Sequence, residues 1–188
     1  MRFNPSGLFR LIAGAGLMCV LSPSQDAKVL ASFKSQTHGY ALQYPQSWRP
    51  QIASDIFSIY NFPASRAVRA VVLPEGGAGI NVVTSSQAVR DPEKLPKSLD
   101  DLVALDNAHH RIIGRGTAEI DDGRRKLSVI EVKTICCDDQ ESVKWYFEID
   151  SHMFVARLFY WKVDPNADKL RETLKQIVLS LKVTSSGN

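Results

Sequence analysis

The feature that most constrains the fold is a run of four strand-like segments between residues 112 and 161. The segments are rich in β-branched and aromatic residues and cover residues 112–120, 126–136, 142–149 and 153–161. Short connections join them, and the first contains Asp122-Gly123, a step that suits the positive φ angles of a hairpin turn. Strands joined by short turns pair antiparallel, so this run predicts an antiparallel meander.

The C-terminal part of the chain carries a clear helix signal. Apolar residues recur there at helical spacing and form one stripe. The stripe consists of Leu170, Leu174, Ile177, Val178 and Leu181. Asp164 is predicted to be the N-cap, and Pro165 suits the first helical position, where its missing N–H has no cost. Because such a stripe has to be covered, we expect it to pack on the neighbouring sheet.

The folded part is predicted to open with a strand at Tyr40. Tyr40, Leu42 and Tyr44 alternate with other residues, which indicates a strand with one buried face. Pro45 ends the strand because it cannot donate a ladder hydrogen bond. Trp48 follows that break, and we expect it to fold over the edge of the core.

Two more strands and a helix lie between this opening and the meander. The strands are predicted at residues 57–62 and 79–85. Ser98 is predicted to cap a helix that ends near His109 and His110. The order of elements predicts an α+β fold, an α-β-α sandwich with a mostly antiparallel central sheet flanked by helices.

The N-terminus has the layout of a secretory signal peptide. Arg2 and Arg10 precede or adjoin an apolar run over residues 11–21, and a polar stretch with small residues follows. The run is shorter than the about 20 residues that a helix needs to cross a bilayer, so we expect no retained transmembrane anchor. Cys19 does not follow a small residue, which argues against lipid attachment.

Cleavage after Ala31 divides the chain into a leader (1–31), one domain (32–183) and a tail (184–188). A competing cleavage site lies at Ser22-Pro23-Ser24. Removing the leader lowers the formal net charge from +3 to +1, and the remaining basic residues are interleaved with acidic ones. The leader predicts an exported, periplasmic or extracellular protein. The low net charge and the interleaved charges predict that it does not bind nucleic acid.

The beginning and the end of this domain resemble those of PsbP-type domains. Residues 39–48 read Gly-Tyr-Ala-Leu-Gln-Tyr-Pro-Gln-Ser-Trp, and PsbP-type domains begin with a Gly-Tyr strand that runs into Tyr-Pro and a tryptophan. Residues 177–183, Ile-Val-Leu-Ser-Leu-Lys-Val, resemble the close of their last helix and the residues after it. The resemblance brackets residues 33–183, and between the two stretches it is one of pattern.

This resemblance implies an α-β-α sandwich that serves as a binding module without family-wide enzymatic activity. Such domains in photosynthetic organisms are extrinsic lumenal proteins that support the water-oxidising complex of photosystem II. A related nuclear-import factor uses the fold to bind a small GTPase. The leader here is short and bacterial in style, so the resemblance favours a bacterial exported member of the family over a photosynthetic one.

Cys136 and Cys137 are adjacent in a protein that we expect to meet an oxidising compartment. Neighbouring Cα atoms are about 3.8 Å apart, less than the about 4.4 Å that an unstrained disulfide needs. One interpretation is two thiols, one buried and one partly exposed. The other is a strained vicinal disulfide at the end of the strand, which would serve as a redox or a rigid-turn element.

The remaining candidates for chemistry lack the spacing that their chemistry requires. Asp138, Asp139 and Glu141 do not form the pattern of a calcium loop. His109 and His110 on a helix would point about 100° apart and would not chelate one ion together. The sequence also has no Gly-x-Ser-x-Gly turn. We therefore expect no catalytic residue, no metal, no cofactor and no enzymatic activity.

The residues singled out are thus structural: Tyr40, Tyr44, Pro45, Trp48, Leu174 and Val178. The predicted function is that of an exported binding or scaffolding domain that acts through protein–protein contacts, with another envelope protein as the partner. Two alternatives stay open. One is an extrinsic photosystem II-type PsbP protein, and the other is a secreted hydrolase or redox protein that uses the loop from Cys136 to Glu141.

Overall fold

A computed structural model describes residues 29–51, 56–63, 73–89, 93–136 and 140–184 of the 188-residue chain. The described strands are β1 (Leu30–Ser35), β2 (Tyr40–Pro45), β3 (Arg49–Pro50), β4 (Phe57–Tyr60), β5 (Ala78–Thr84), β6 (Arg111–Asp121), β7 (Lys126–Cys136), β8 (Gln140–Ile149), β9 (His152–Trp161) and β10 (Lys182–Val183). The described helices are α1 (Ser85–Ala88), α2 (Leu99–Asp106) and α3 (Ala167–Ser180).

The strands form two antiparallel sheets. Among the described residues, the larger sheet has seven strands in the order β3-β4-β5-β9-β8-β7-β6, and the smaller one has three in the order β1-β2-β10. The predicted meander is present, because β6, β7, β8 and β9 are consecutive neighbours in the larger sheet. β6 is at one edge of that sheet.

The larger sheet lies between two covering layers. One face packs against α3 and the small sheet and encloses the main core. The other face packs against α1 and α2 over a smaller apolar cluster. The predicted α+β sandwich with an antiparallel central sheet is therefore confirmed, and part of one layer is the small sheet instead of helix.

Strand β8 shows how its sequence serves both faces. Val143, Trp145 and Phe147 point into the main core, as the period of two requires. The alternate residues Lys144 and Tyr146 point to the other face, beneath α2. A strand buried on both faces thus carries a lysine in its centre.

Helix α3 buries the predicted apolar stripe but begins two residues later than predicted. Its N-cap is Asn166, and the carboxylate of Asp164 accepts a hydrogen bond from the backbone N–H of Asn166 at 2.7 Å. Asp164 therefore stabilises the turn before the helix and does not cap it, and Pro165 lies in that turn. Leu174 and Val178 are fully buried.

Other elements also differ from the sequence predictions. Strands β6, β8 and β9 begin one or two residues earlier than predicted, and β6 ends one residue later. Helix α2 ends at Asp106, before His109 and His110, and β4 ends at Tyr60 instead of residue 62. The strand predicted to reach Ser85 ends at Thr84, where the side chains of Thr84 and Gln87 form a capping box that starts α1.

Strand β1 is an element that the sequence analysis did not predict, because its first residues were assigned to the leader. Leu30 pairs with Pro45 and Ala31 pairs with Tyr44, so a cut after Ala31 would divide β1. Residues 1–28 lie outside the described residues, and the signal peptide stays a prediction. No helix in the described ranges combines the length and the apolar character needed to cross a membrane.

Candidate functional site

The aromatic residues of the opening stretch lie in the main core. Tyr40 is fully buried, and its hydroxyl donates a hydrogen bond to the carbonyl of Val82 in β5 at 3.1 Å. This bond connects the small sheet to the large one. The rings of Tyr44 and Phe57 lie 5.3 Å apart, and Trp48 is buried in the same core. Pro45 is the last residue of β2 and is also buried.

The predicted redox loop lies mostly outside the described residues. Cys136 is the last residue of β7 and pairs with Gln140, whereas Cys137, Asp138 and Asp139 are not described. Glu141 lies in β8 and accepts a hydrogen bond from the hydroxyl of Tyr160 at 3.1 Å. The redox state of the two cysteines stays a prediction. No cluster of three or more His, Cys, Asp or Glu among the described residues is arranged to hold a metal ion.

The most concentrated polar arrangement lies beneath the C-terminal end of α2. The Asp106 carboxylate forms ion pairs with Lys144, at 3.0 Å, and with Arg157. It also accepts a hydrogen bond from the Tyr146 hydroxyl at 2.6 Å. The Lys144 side chain is only 3% exposed, so its charge is neutralised inside the protein. We call Asp106, Asn107, Lys144, Tyr146 and Arg157 the α2 polar network.

Asn107 completes this network and explains where α2 ends. Its side-chain amide donates to the carbonyl of Val103 at 2.8 Å and to the Tyr146 hydroxyl at 2.7 Å. Its side-chain oxygen accepts a hydrogen bond from Lys144 Nζ at 2.8 Å. These bonds use the side chain of the C-cap residue to hold the helix end against β8.

The network shifts the pKa values of its members. Burial alone would raise the pKa of Asp106, but the charges of Arg157 and Lys144 and the hydrogen bonds from Tyr146 and Lys144 outweigh it, so the pKa is lower than usual. Burial and the neighbouring Asp106 charge raise the pKa of Tyr146. Burial and the Lys144 charge lower the pKa of His110, which follows α2. The aspartate is therefore ionised and the tyrosine neutral at pH 7.

The arrangement is that of a structural clamp. Its two cations and one carboxylate face each other and leave one net positive charge. Three buried atoms on the same face of the sheet have no hydrogen-bond partner among the described residues: Asn81 Oδ1, Ser142 Oγ and Arg157 Nε.

The sequence analysis missed the α2 polar network. The available signal was Lys144, a charged residue inside an otherwise apolar strand.

A second set of polar contacts joins the opposite face of the sheet to α3. Glu131 of β7 forms an ion pair with Arg171 of α3 and accepts a hydrogen bond from Trp145 Nε1 at 2.9 Å. Arg171 is also close enough to lower the pKa of Tyr160, which burial and Glu141 raise to about 12 overall. These contacts orient α3 on the sheet.

Strand β6 is the part of the sheet that the two covering layers reach least, through the buried Ile120 on the α3 side and the ion pair of Arg115 with Asp100 on the α2 side. Nine of its eleven residues are exposed, with Gly114 half-buried and Ile120 buried. Ile112 and Ile113 expose 44% and 43% of their surface. At about 3.4 Å per residue, the strand presents an edge of about 37 Å.

The hydrogen-bond pattern shows which backbone groups face outward from β6. Asp122 N–H donates to the carbonyl of Arg125, next to the pair Asp121–Lys126. Because bonded and non-bonded pairs alternate in an antiparallel ladder, Arg115, Thr117 and Glu119 direct their N–H and C=O groups away from β7. No described residue bonds to these outward groups. We call this row the β6 edge.

Comparisons with known proteins give structural similarities only. No family model matches the chain, and no curated protein matches it. The cyanobacterial PsbP protein of Synechocystis, CyanoP, is similar with a TM-score of 0.43 and 13% identity over 86% of this chain and 96% of that one. It belongs to the family that the sequence resembles.

Two other solved structures are similar to a comparable degree. A protein of unknown function from Pseudomonas aeruginosa has a TM-score of 0.40 and 15% identity, over 78% of this chain and 94% of that one. A protein from Bacteroides thetaiotaomicron has a TM-score of 0.37 and 13% identity over 84% of this chain, which spans 49% of that protein. Because all three TM-scores are below 0.5, none of these similarities assigns a function.

Proposed function

We propose that this protein is a non-enzymatic binding domain that holds a partner protein by adding an extended segment of the partner to the β6 edge. The observation that carries the proposal is the exposure of nine of the eleven residues of β6 together with the row of outward N–H and C=O groups along its edge. An open edge of this kind is a template for another strand, which gains main-chain hydrogen bonds as it adds.

The arrangement of the polar groups supports binding over catalysis. The charges of the α2 polar network pair with each other, and those of Glu131 and Arg171 do the same across the other face. Such pairing orients α2 and α3 and supports a rigid sheet. A rigid sheet keeps the β6 edge in register for an incoming strand.

The proposed place of action is outside the cytoplasm, in the periplasm or at the cell surface. The support is the leader-like N-terminus, with its two arginines and its apolar run over residues 11–21. The proposed partner is accordingly another envelope protein.

A single proline substitution tests the proposal. Thr117 directs its N–H outward, so Thr117→Pro removes a donor from the β6 edge without removing a hydrogen bond to β7. The wild type and Thr117→Pro are each immobilised, and the proteins that each of them captures from the native envelope fraction are compared. We expect Thr117→Pro to lose partners that the wild type retains.

The matched control is Val163→Ser, which changes a side chain that is 89% exposed in the turn after β9, away from the β6 edge. This variant should retain the wild-type partners. Capture that is equal for the wild type and Thr117→Pro would disprove binding at the β6 edge, provided that circular dichroism shows both proteins folded.

A further inference from the structure

We infer that a second copy of this chain occupies the β6 edge, and that two β6 strands pair antiparallel with Thr117 on the two-fold axis. The inference rests on the proposed function and names its partner: the envelope protein that adds a strand to the β6 edge is another molecule of this same chain. Its warrant is the distribution of charge along β6.

The charges of β6 are divided between the two halves of the strand. Arg111 and Arg115 lie in its N-terminal half, and Glu119 and Asp121 lie in its C-terminal half. Antiparallel self-pairing brings the basic half of each copy against the acidic half of the other. The strand is therefore complementary in charge to a second copy of itself.

The charges also select the register. With Thr117 at the centre, Arg115 lies opposite the partner's Glu119, and symmetry repeats this pair on the other side of the axis. The two Thr117 residues then form a cross-strand pair. Opposite-charge pairs and threonine pairs both stabilise antiparallel strands, whereas a centre at Arg115 or at Glu119 would place like charges opposite each other.

Centres at Gly116 and at Ala118 also avoid like charges at the axis. A centre at Gly116 relies on pairing Arg111 with the partner's Asp121, and Arg111 lies beyond the irregularity between Ile112 and Gly114.

A centre at Ala118 keeps to the regular part of the strand. It pairs Arg115 with the partner's Asp121, and the two strands then overlap over residues 115–121. Over the regular part of β6, the register centred on Thr117 overlaps over residues 114–120, which is an equal length. Its Arg115–Glu119 pairs lie inside that overlap and flank the Thr117 pair, whereas the Arg115–Asp121 pairs of the Ala118 register lie at the two ends of the overlap. We therefore assign the register centred on Thr117.

The geometry of β6 allows this pairing. From Gly114 to Asp121 its register with β7 is regular, and the one irregularity lies between Ile112 and Gly114. Arg115 forms an exposed ion pair with Asp100 of α2, and Glu119 forms one with Lys126 at 2.7 Å. Exposed ion pairs are weak, so both side chains are available to the second copy.

Charge reversal tests the inference. The dimer Kd is measured by sedimentation velocity on the mature protein, purified from the cells that naturally produce it. The wild type is expected to be a reversible dimer. Arg115→Glu places two acidic pairs across the interface and should raise the dimer Kd at least about tenfold. The double variant Arg115→Glu/Glu119→Arg restores opposite charges only in the register centred on Thr117, and should return the Kd to within about threefold of the wild type.

The matched control is Lys162→Glu, which makes a comparable charge reversal at an exposed residue in the turn after β9. It should leave the Kd unchanged. The inference is overturned by a wild-type protein that stays monomeric to hundreds of micromolar. It is equally overturned if Arg115→Glu dimerises like the wild type, or if the double variant does not recover. Circular dichroism of each variant checks that it is folded.

The two proposals fail in distinguishable ways. A monomeric wild type whose partner capture is lost in Thr117→Pro would overturn the second-copy inference and leave the proposed function standing. A dimer that survives Thr117→Pro, together with unchanged partner capture, would overturn both.

Discussion

At the scale of single residues, the buried Lys144 explains how α2 is held on the sheet. A lysine in the centre of an apolar strand has a desolvation cost that only partners can offset. Asp106 and Asn107 supply those partners from the end of α2. The residue thus fixes where the helix ends and how it sits on β8.

Replacing Lys144 with methionine should lower the free energy of unfolding by about 3 kcal/mol, because it removes one partner of a buried ion pair. Lys133→Met is the matched control. Lys133 is 44% exposed, and its Nζ lies 3.9 Å from the Glu131 carboxylate, so its removal should cost less than about 1 kcal/mol. Urea unfolding of both variants measures the difference. Equal losses would show that the α2 polar network does not hold the helix.

The sequence did not predict this network, for a physical reason. Asp106, Lys144 and Arg157 come from three elements that are distant in sequence, and only the packing of α2 across the sheet brings them together. In contrast, the role of Ser98 was predictable, because its side chain caps α2 through a local bond to Asp101 N–H at 3.1 Å. Local hydrogen bonds leave a sequence signature, whereas contacts between distant elements leave a weaker one.

At the scale of whole elements, hydrophobic periodicity predicted the long strands and the last helix. Strand β7 has the predicted bounds, and α3 buries the predicted stripe. The short strands β1, β3 and β10 were not predicted. β3 and β10 contain two residues each, too few to show a period, and β1 lies where the leader signal overlaps the fold.

Strand β1 gives a prediction about the start of the domain. A chain that begins at Ser32 loses the pairing of Leu30 and Ala31 with β2 and the hydrogen bond from Gln46 N–H to the Val29 carbonyl at 2.9 Å. We expect it to be less stable by about 1–2 kcal/mol than a chain that begins at Asp26. Thermal unfolding of the two chains measures this. Equal midpoints would show that the first residues of β1 contribute nothing to the fold.

At the scale of the whole molecule, the two layers cover the sheet unequally. Helices α1 and α2 cover β5, β9 and β8, and α3 with the small sheet covers the opposite face. Most of β6 extends past both layers at one edge, and Ile120 is its one residue buried in the main core. The strand itself was predicted from its sequence, but its exposure was not, because exposure depends on where the helices pack.

Hydrogen exchange at neighbouring amides of β6 tests the central claim most directly. The Ala118 N–H faces β7 and the Thr117 N–H faces outward. In dilute protein, we expect the Ala118 amide to be protected and the Thr117 amide to exchange rapidly, and in concentrated protein we expect both to be protected. Exchange of the Thr117 amide at the same rate in dilute and concentrated protein would contradict pairing of two copies at the β6 edge.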